Sequence, residues 1–322
     1  MTLRPLPLAL YCVIASLPPA CSAPNTDHDA ASNSDAADVA SSDARDVTAT
    51  TDSANDSADT AADTNTNDAA AGACTPDRWP TASNTGIPSD APALTVIADT
   101  THTDHDGQIF DAVEMRGRLY VDHANVTIRR SRLVGDVYYA VYSSDTASNL
   151  TIEDCDVVGG VLYPDGFVAR RNHFHAPTGG ERDDGLIFAA SHALIEDNLI
   201  DGLIGGDGAH LDGIQIMAGD DIVIRHNWIE AVSPPISGGG VNAAVFFAPD
   251  MGPISNVTVD CNMLIEQDGY YPLRISSGPS VRVRHNRWRM GHLGAPVLFS
   301  DGTVATEWTD NSYEDGTVIP SP

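Results

Sequence analysis

The sequence predicts an all-β fold, a right-handed parallel β-helix over residues 118–318, and three observations predict it. A short strand-like segment that ends on Asn is repeated along the chain. A second strand-like segment follows each copy of this repeat. The intervals between copies are irregular, and the segments between strands show no helical periodicity. A solenoid of this kind stacks each coil on the one before it, and loops of different lengths can leave its turns.

The repeat is clearest at residues 222–229, where apolar and polar residues alternate up to Asn227. Residues 126–133, 150–157, 167–174, 193–200, 257–264, 281–288 and 306–313 align with it. The sixth position of the eight copies reads, in chain order, Ser131, Cys155, Asn172, Asn198, Asn227, Asn262, Asn286 and Asn311. Asn side chains in one place on successive coils can hydrogen-bond along the stack. We therefore predict a ladder that begins as Ser131 and Cys155 and continues as asparagine.

Leucine-rich repeats also place Asn after alternating apolar residues, so the motif alone leaves two kinds of solenoid open. The second strand-like segments, such as residues 185–188, 213–216 and 244–247, favour the β-helix. So does the irregular spacing, which does not suit a horseshoe. Over residues 90–318 the pattern resembles the pectin-lyase-like superfamily of right-handed β-helices. That resemblance implies the fold and says nothing of the chemistry.

The first 21 residues have the features of an export signal. Arg4 precedes an apolar run, residues 6–17, that is too short to span a bilayer, and the segment closes on Ala20 and Cys21. This arrangement resembles a bacterial lipoprotein signal, which implies that Cys21 is lipidated. We expect an exported protein held at the cell envelope by its lipid anchor alone. Plain secretion, with Cys21 incidental, is the alternative.

Two further segments precede the repeat. Residues 22–73 contain eleven Asp, one Arg and no Glu among small polar residues and Ala, too little apolar surface to fold, so we expect a disordered tether. Residues 74–117 are expected to form the N-terminal cap and the first coil, with Trp79 as an apolar plug. Once the signal is processed, Cys74, Cys155 and Cys261 remain. An odd number cannot form a closed set of disulfides, and Cys74 has two candidate partners.

The charge of the chain limits its partners. The net charge is −28, and all 17 basic residues are Arg, because the sequence contains no Lys. A chain this acidic repels phosphates, so nucleic acid is excluded as a partner. A polyanionic polysaccharide would need a bridging cation. The absence of Lys also excludes the β-helical lyases that use a Lys base.

The sharpest motif is residues 210–216, His-Leu-Asp-Gly-Ile-Gln-Ile. It resembles the first acidic motif of the β-helical polygalacturonases, which implies that Asp212 is a catalytic carboxylate. Those enzymes need a carboxylate pair one coil later, where this chain has Asn242 and Ala243. Arg274 corresponds to their substrate-binding Arg, but Ser276 stands in the place of its Lys partner. Asp-Gly before a strand is also a turn signal, so a purely structural role for Asp212 stays open.

Alignment of the second strands predicts rows of side chains along one groove. One row holds Asp184, Asp212, Asn242 and Tyr271, and another holds Ile187, Gln215, Val245 and Arg274. We predict the following roles: catalytic for Asp212, His210, Asp184 and Arg274; substrate-binding for Gln215, Arg182 and Tyr271; calcium-binding for Asp183 and Asp207.

These residues favour polysaccharide as the partner. A lyase reaction needs the uronate carboxylate neutralised, by Ca²⁺ on Asp oxygens or by Arg, and a base for the C5 proton. A calcium-assisted lyase is the activity that we expect if the protein is an enzyme. The competing hypothesis is a non-catalytic adhesion or scaffold module, and the sequence leaves it open. A degenerate polygalacturonase-like hydrolase is the remaining alternative.

Overall fold

The computed structural model describes residues 78–144, 146–176, 184–203, 210–232, 240–267, 271–276, 280–289, 295–300 and 302–322. These residues form 25 β-strands and no α-helix, and the strands pair in parallel from coil to coil. The described part of the chain is a right-handed parallel β-helix, and the prediction of the fold class is confirmed. Nowhere in these ranges does a helix occur that is long and apolar enough to cross a membrane.

Each coil has three faces, numbered in chain order. Face 1 holds the repeat strands β3 (Ile109–Asp111), β6 (Thr127–Arg129), β8 (Thr151–Glu153), β10 (Val168–Arg170), β13 (Ala193–Glu196), the end of β15 (His210–Arg225), β18 (Ile254–Asp260), β21 (Val281–Arg284) and β24 (Ala305–Thr309). Face 2 holds β1 (Thr95–Ile97), β4 (Val113–Met115), the starts of β7 (Arg132–Ser143) and β9 (Asp156–Tyr163), β11 (His173–His175), β14 (Leu199–Ile200), β16 (Trp228–Val232), β19 (Met263–Gln267), β22 (Arg287–Trp288) and β25 (Ser312–Tyr313). Face 3 holds β2 (Thr101–His102), β5 (Leu119–Val121), the ends of β7 and β9, β12 (Leu186–Ala189), the start of β15, β17 (Gly240–Phe247), β20 (Leu273–Ile275) and β23 (Val297–Phe299).

The nine described strands of face 1 define coils 1 to 9. Eight of these coils contain the aligned repeats. Coil 1 does not stand out in the sequence because Val113 occupies its ladder position, where the other coils have a polar residue or Cys. In place of a side-chain rung, the backbone N–H of Val113 donates to Oγ of Ser131 at 3.1 Å.

The ladder follows a short turn between faces 1 and 2. At every coil the residue just before the ladder position has φ between 50° and 58°, the left-handed region: Ala112, Arg130, Asp154, Arg171, Asp197, His226, Cys261, His285 and Asp310. The buried Asn that follows has all its polar groups engaged. For Asn227, Oδ1 accepts the backbone N–H of Asn198 at 3.0 Å and its amide N–H at 2.9 Å. Nδ2 of Asn227 donates to the carbonyl of Ile195 at 2.9 Å.

The core fills the space inside the three faces. Inward apolar side chains stack in rows, and each coil contributes one residue to a row. Ile152, Ile195 and Ile224 come from face 1, whereas Phe174 and Trp288 come from face 2, and all five are fully buried. Rows of this kind arise because alternate residues of a strand point to the same side. The outward positions therefore carry the chemistry of the molecule.

Residues 78–92, here called the strap, lie against the outside of the coils. Trp79, expected to plug the N-terminal end, packs instead on Cys261, Met263 and Ile265 of coil 7, and only 4% of its surface is exposed. The prediction for Trp79 was wrong because these outward residues are apolar and need a cover. Further along, the backbone N–H of Gly86 donates to the carbonyl of Arg171 on coil 4 at 2.8 Å.

One cysteine of the described residues forms a disulfide and the other does not. Cys261 is disulfide-bonded, whereas Cys155 is free and buried. The partner of Cys261 therefore lies outside the described residues. Of the two pairings that the sequence left open for Cys74, the one with Cys155 is excluded.

The C-terminal end closes on itself. The backbone N–H of Ile319 donates to the carbonyl of Asn311 at 2.9 Å, and its side chain, 2% exposed, belongs to the core. Nε1 of Trp308 donates to the carbonyl of Ile319 at 2.9 Å. Residues after Tyr313 thus cover the last coil, as a solenoid end requires.

Candidate functional site

Two Asp-Gly pairs lie on face 3, one just before β12 on coil 4 and one within β15 on coil 5, and packing explains their glycines. A Cβ on Gly213 would lie 2.3 Å from Cγ2 of Ile229, and one on Gly185 would lie 2.7 Å from Cγ2 of Ile200. Face 3 therefore begins so close to face 2 that no side chain fits there. The glycine of the motif is structural, which leaves the question of chemistry to Asp212.

Asp212 belongs to a chain of polar side chains that crosses four successive coils, here called the acid–amide chain. Its backbone N–H donates to Oδ1 of Asp184 at 2.8 Å. Its Oδ2 accepts from Nδ2 of Asn242 at 3.3 Å. The amide oxygen of Asn242 in turn accepts from Nη1 of Arg274 at 2.5 Å. The structure thus brings together three of the residues predicted to be catalytic, and Asn242 links two of them.

The environment of Asp212 favours its neutral form. The residue is 1% exposed, and burial raises its pKa well above the usual value of 3.8, with a further increase from the carboxylate of Asp184. The hydrogen bonds from Asn242 and from the backbone of Ala243, and the charge of Arg274, act in the opposite direction. Oδ1 of Asp212 has no hydrogen-bond partner among the described residues. A buried carboxylic acid that keeps its proton, and that has one oxygen without a hydrogen-bond partner, can act as a proton donor.

The register between coils 5 and 6 differs from the predicted rows. A bulge lies between Leu211 and Asp212, so that Asp212 pairs with Ala243 and not with Asn242. The same shift pairs Gln215 with Phe246, whereas Val245 is buried in the core. The bulge leaves Asn242 free to reach across to Asp212. The sequence could not reveal this shift, because an alignment of strands assumes a constant register.

The outward row of face 3 is richer in apolar and aromatic side chains than predicted. Successive strand pairings give the row His102, Tyr120, Tyr142, Ile187, Gln215, Phe246, Arg274 and Leu298. The rings of Tyr120 and Tyr142 lie 5.7 Å apart, and Tyr142 is 37% exposed. The guanidinium of Arg274 lies over the ring of Phe246 at 4.5 Å.

Beside this row lies a groove of about 530 Å³. Its lining includes Tyr139, Tyr142, Ile187, Met217 and Met251, and its polar groups include Asp165 and two serines. A groove with apolar walls and a few polar groups is a usual form for a ligand site. No pattern in the sequence pointed to it, because its walls come from strands and turns of several coils.

Not all predicted site residues can be placed. Arg182, Asp183, Asp207 and the lipidation candidate Cys21 lie outside the described residues. His210 lies in β15 and pairs with Gly240 of β17, and only the backbone of His210 is described. Tyr271 is half-buried just before β20. The predicted calcium ligands thus stay a prediction.

Sequence reasoning missed a second cluster, formed by Asp156, His173 and His175 on face 2. Burial raises the pKa of Asp156, but hydrogen bonds from His175 and Arg132 outweigh it and lower the pKa to about 2. The hydrogen bond with Asp156 raises the pKa of His175, although burial opposes it. The signal was present in the alignment, since Asp156 and His173 each follow a ladder residue directly.

Neither a family model nor a curated protein matches this chain. A similar solved structure is the crystal structure of the Dettilon tailspike protein (gp208), at 12% identity and a TM-score of 0.32. The match covers 69% of this chain and 61% of the tailspike chain. A likeness at this level bears on neither substrate nor activity, so the function has to be argued from the residues.

Proposed function

We propose that the protein is an exported carbohydrate-binding β-helix that cleaves a glycan at the acid–amide chain. The observation that carries the proposal is the outward surface of face 3. There an aromatic and apolar row and its groove lie on the same face as a buried carboxylic acid, Asp212. Sugar rings offer apolar faces to aromatic rings and hydroxyl groups to the polar side chains around them.

The charge of the protein favours an uncharged glycan. The net charge of −28 repels uronate polymers, and Asp165 lies in the groove itself. A neutral chain avoids the repulsion altogether, and the rings of Tyr139 and Tyr142 can hold it by stacking.

Glycoside hydrolysis fits Asp212 better than lyase chemistry. Hydrolysis needs one protonated carboxyl to donate a proton to the leaving oxygen and one carboxylate to act as base or nucleophile. Asp212, kept neutral by burial, suits the first role, and Asp184 suits the second. A lyase needs a base for the C5 proton, and a neutral carboxyl is not a base. Since Asp212 is 1% exposed, the substrate has to displace neighbouring groups to reach it.

A panel of neutral and acidic polysaccharides tests the proposal, with reducing-end release, unsaturated products and binding measured separately. We expect reducing ends from a neutral glycan, lost in Asp212→Asn and kept in the control Asp221→Asn, an exposed Asp on the same strand. Unsaturated products would assign a lyase and contradict the role of Asp212. Binding without cleavage would make the protein an adhesion module, and no binding at all would refute the proposal.

The contribution of the groove is tested by affinity. Tyr142→Ala should weaken glycan binding about 3- to 10-fold, the value of a lost aromatic contact. Val304→Ala is the control, because Val304 is an exposed apolar residue outside the groove. Equal affinities of the two variants would place the binding surface elsewhere.

Export and lipidation form part of the same proposal. The disulfide at Cys261 supports an oxidising compartment, since disulfides are rare in the cytosol. In cells that express the full chain, labelled fatty acid should enter the protein and should be absent from Cys21→Ala. Label retained in that variant would contradict lipidation at Cys21, and unlabelled protein in the medium would indicate plain secretion.

A further inference from the structure

Face 2 brings two histidines and a carboxylate together on adjacent coils. His173 and His175 alternate along β11, so both point outward, and Asp156 lies beside His173 in the parallel register. One ligand atom from each of the three residues lies within 4.8 Å of the others. The two imidazole rings lie 4.6 Å apart, tilted by 37°. All three side chains are half-buried, so solvent can reach them.

Each of the three residues also has a hydrogen-bond partner outside the cluster. Nδ1 of His175 lies 2.8 Å from the carbonyl of Ala176, which can only accept, so this nitrogen carries the proton. Nε2 of His173 lies 2.6 Å from Oδ1 of Asp201. Oδ2 of Asp156 accepts from Nε of Arg132 at 2.8 Å, which leaves Oδ1. Metal-binding histidines usually have one ring nitrogen fixed by such an outer acceptor, so that the other nitrogen faces the ion.

The short contact between His175 and Asp156 shows what an ion would replace. Nε2 of His175 lies 2.7 Å from Oδ1 of Asp156, and Nδ1 already carries a proton. This contact needs one proton between the nitrogen and the oxygen. A divalent cation can take the place of that proton, since it binds both the nitrogen and the carboxylate oxygen. Two imidazoles and one carboxylate are a ligand set suited to zinc and related transition metals.

We propose that Asp156, His173 and His175 bind a divalent transition-metal ion of the Zn²⁺ class, which fastens coils 3 and 4 together. Asp201 of coil 5 and Arg132 of coil 2 orient the ligands and extend the fastening over four coils. This site is separate from the acid–amide chain on face 3, so it does not depend on the proposed function. Because Arg132 adds positive charge beside the site, the affinity should be lower than that of an all-cysteine zinc site.

The test is calorimetric titration of the chelator-treated, untagged protein with ZnCl₂, together with Co²⁺ absorption spectra. We expect one saturable ion per chain, visible Co²⁺ bands typical of nitrogen and oxygen ligands, and a higher melting temperature with Zn²⁺. His175→Gln and Asp156→Asn should each abolish the Co²⁺ bands and the rise in melting temperature. Asp201→Asn should weaken binding about 10- to 100-fold and keep the one-to-one ratio, as expected of an outer partner.

His102→Gln is the matched control. His102 makes an equally short contact, 2.6 Å from Nδ1 to Oδ2 of Asp122, but it has no place in the cluster. Its variant should bind Zn²⁺ as the parent protein does. Circular dichroism and melting temperature without metal check that each variant is folded. The absence of saturable binding, or binding that survives in folded His175→Gln and Asp156→Asn, would overturn the proposal.

Discussion

At the scale of single residues, the ladder shows how a polar side chain becomes part of a core. Asn227 is fully buried, yet each of its amide groups has a partner on a neighbouring rung or strand. A buried polar group is costly only when it lacks such partners. Asp212 departs from this rule, since one of its oxygens lacks a partner among the described residues, and so does Nε1 of the buried Trp288.

Changing Asn227 to Asp should test the ladder. The substitution removes the donor to Ile195 and buries a carboxyl, which we expect to cost about 2–4 kcal/mol of unfolding free energy. Burial raises the pKa of a carboxyl, so the loss relative to the parent should be smaller at acidic than at neutral pH. Urea unfolding measures both effects. The control is Asn149→Asp, where an exposed amide contacts Asn125, and it should cost less than about 0.5 kcal/mol.

Asp212 should make the stability of the parent protein fall as the pH rises. Its folded-state pKa is raised above the unfolded value, so its contribution is complete below that value and is lost through the folded-state pKa. Asp212→Asn cannot ionise. The stability of this variant relative to the parent should therefore increase from acidic to alkaline pH. A difference that does not change with pH would mean that Asp212 is ionised in the fold.

At the scale of elements, the strands are regular and the turns and bulges determine the site. The sequence predicted the strands because alternation and Asn recur in every copy. It did not predict the acid–amide chain correctly, because the bulge before Asp212 shifts Asn242 by one position. The cluster at His173 could have been found, because the repeat alignment places Asp156 and His173 at the same position of neighbouring coils, one residue after the ladder. Fold patterns recur along a chain, whereas sites depend on single shifts between strands.

Gly213→Ala should show how closely faces 2 and 3 meet. The new methyl group would overlap Cγ2 of Ile229 and the carbonyl of Ala244, so we expect a loss of about 1–3 kcal/mol in unfolding free energy. Ile229→Leu moves the branch away from the contact. The double variant should be more stable than the sum of the single effects predicts. Strict additivity would show that the contact with Ile229 does not limit position 213.

At the scale of the whole molecule, coils contact mainly their neighbours, and the strap is the exception. It lies against coil 7 through Trp79 and against coil 4 through Gly86. The disulfide of Cys261 adds a covalent link beside Trp79. Sequence composition gave no hint of this arrangement, because a segment that packs on the outside of a solenoid needs no repeat of its own.

Loss of the disulfide should loosen this long-range fastening. Cys261→Ser, or a reducing agent, should lower the melting temperature and cost about 2–4 kcal/mol. Cys155 serves as an internal control, because it is buried and burial raises the pKa of its thiol. In the native protein a thiol reagent should label the reduced Cys261 and leave Cys155 unmodified. Equal melting temperatures with and without reductant would show that the disulfide does not stabilise the fold.

The left-handed residue and the ladder position recur at every coil, although neighbouring rungs are 17 to 35 residues apart in sequence. The stack therefore tolerates gain or loss of one whole layer, which would change the length of the body by about 4.8 Å. The acid–amide chain would not survive the loss of every layer. Removal of the layer that begins at β13 would take away Asp212 and bring Asp184 next to Asn242. In such a molecule length can vary over evolution, whereas the order of the layers around each site cannot.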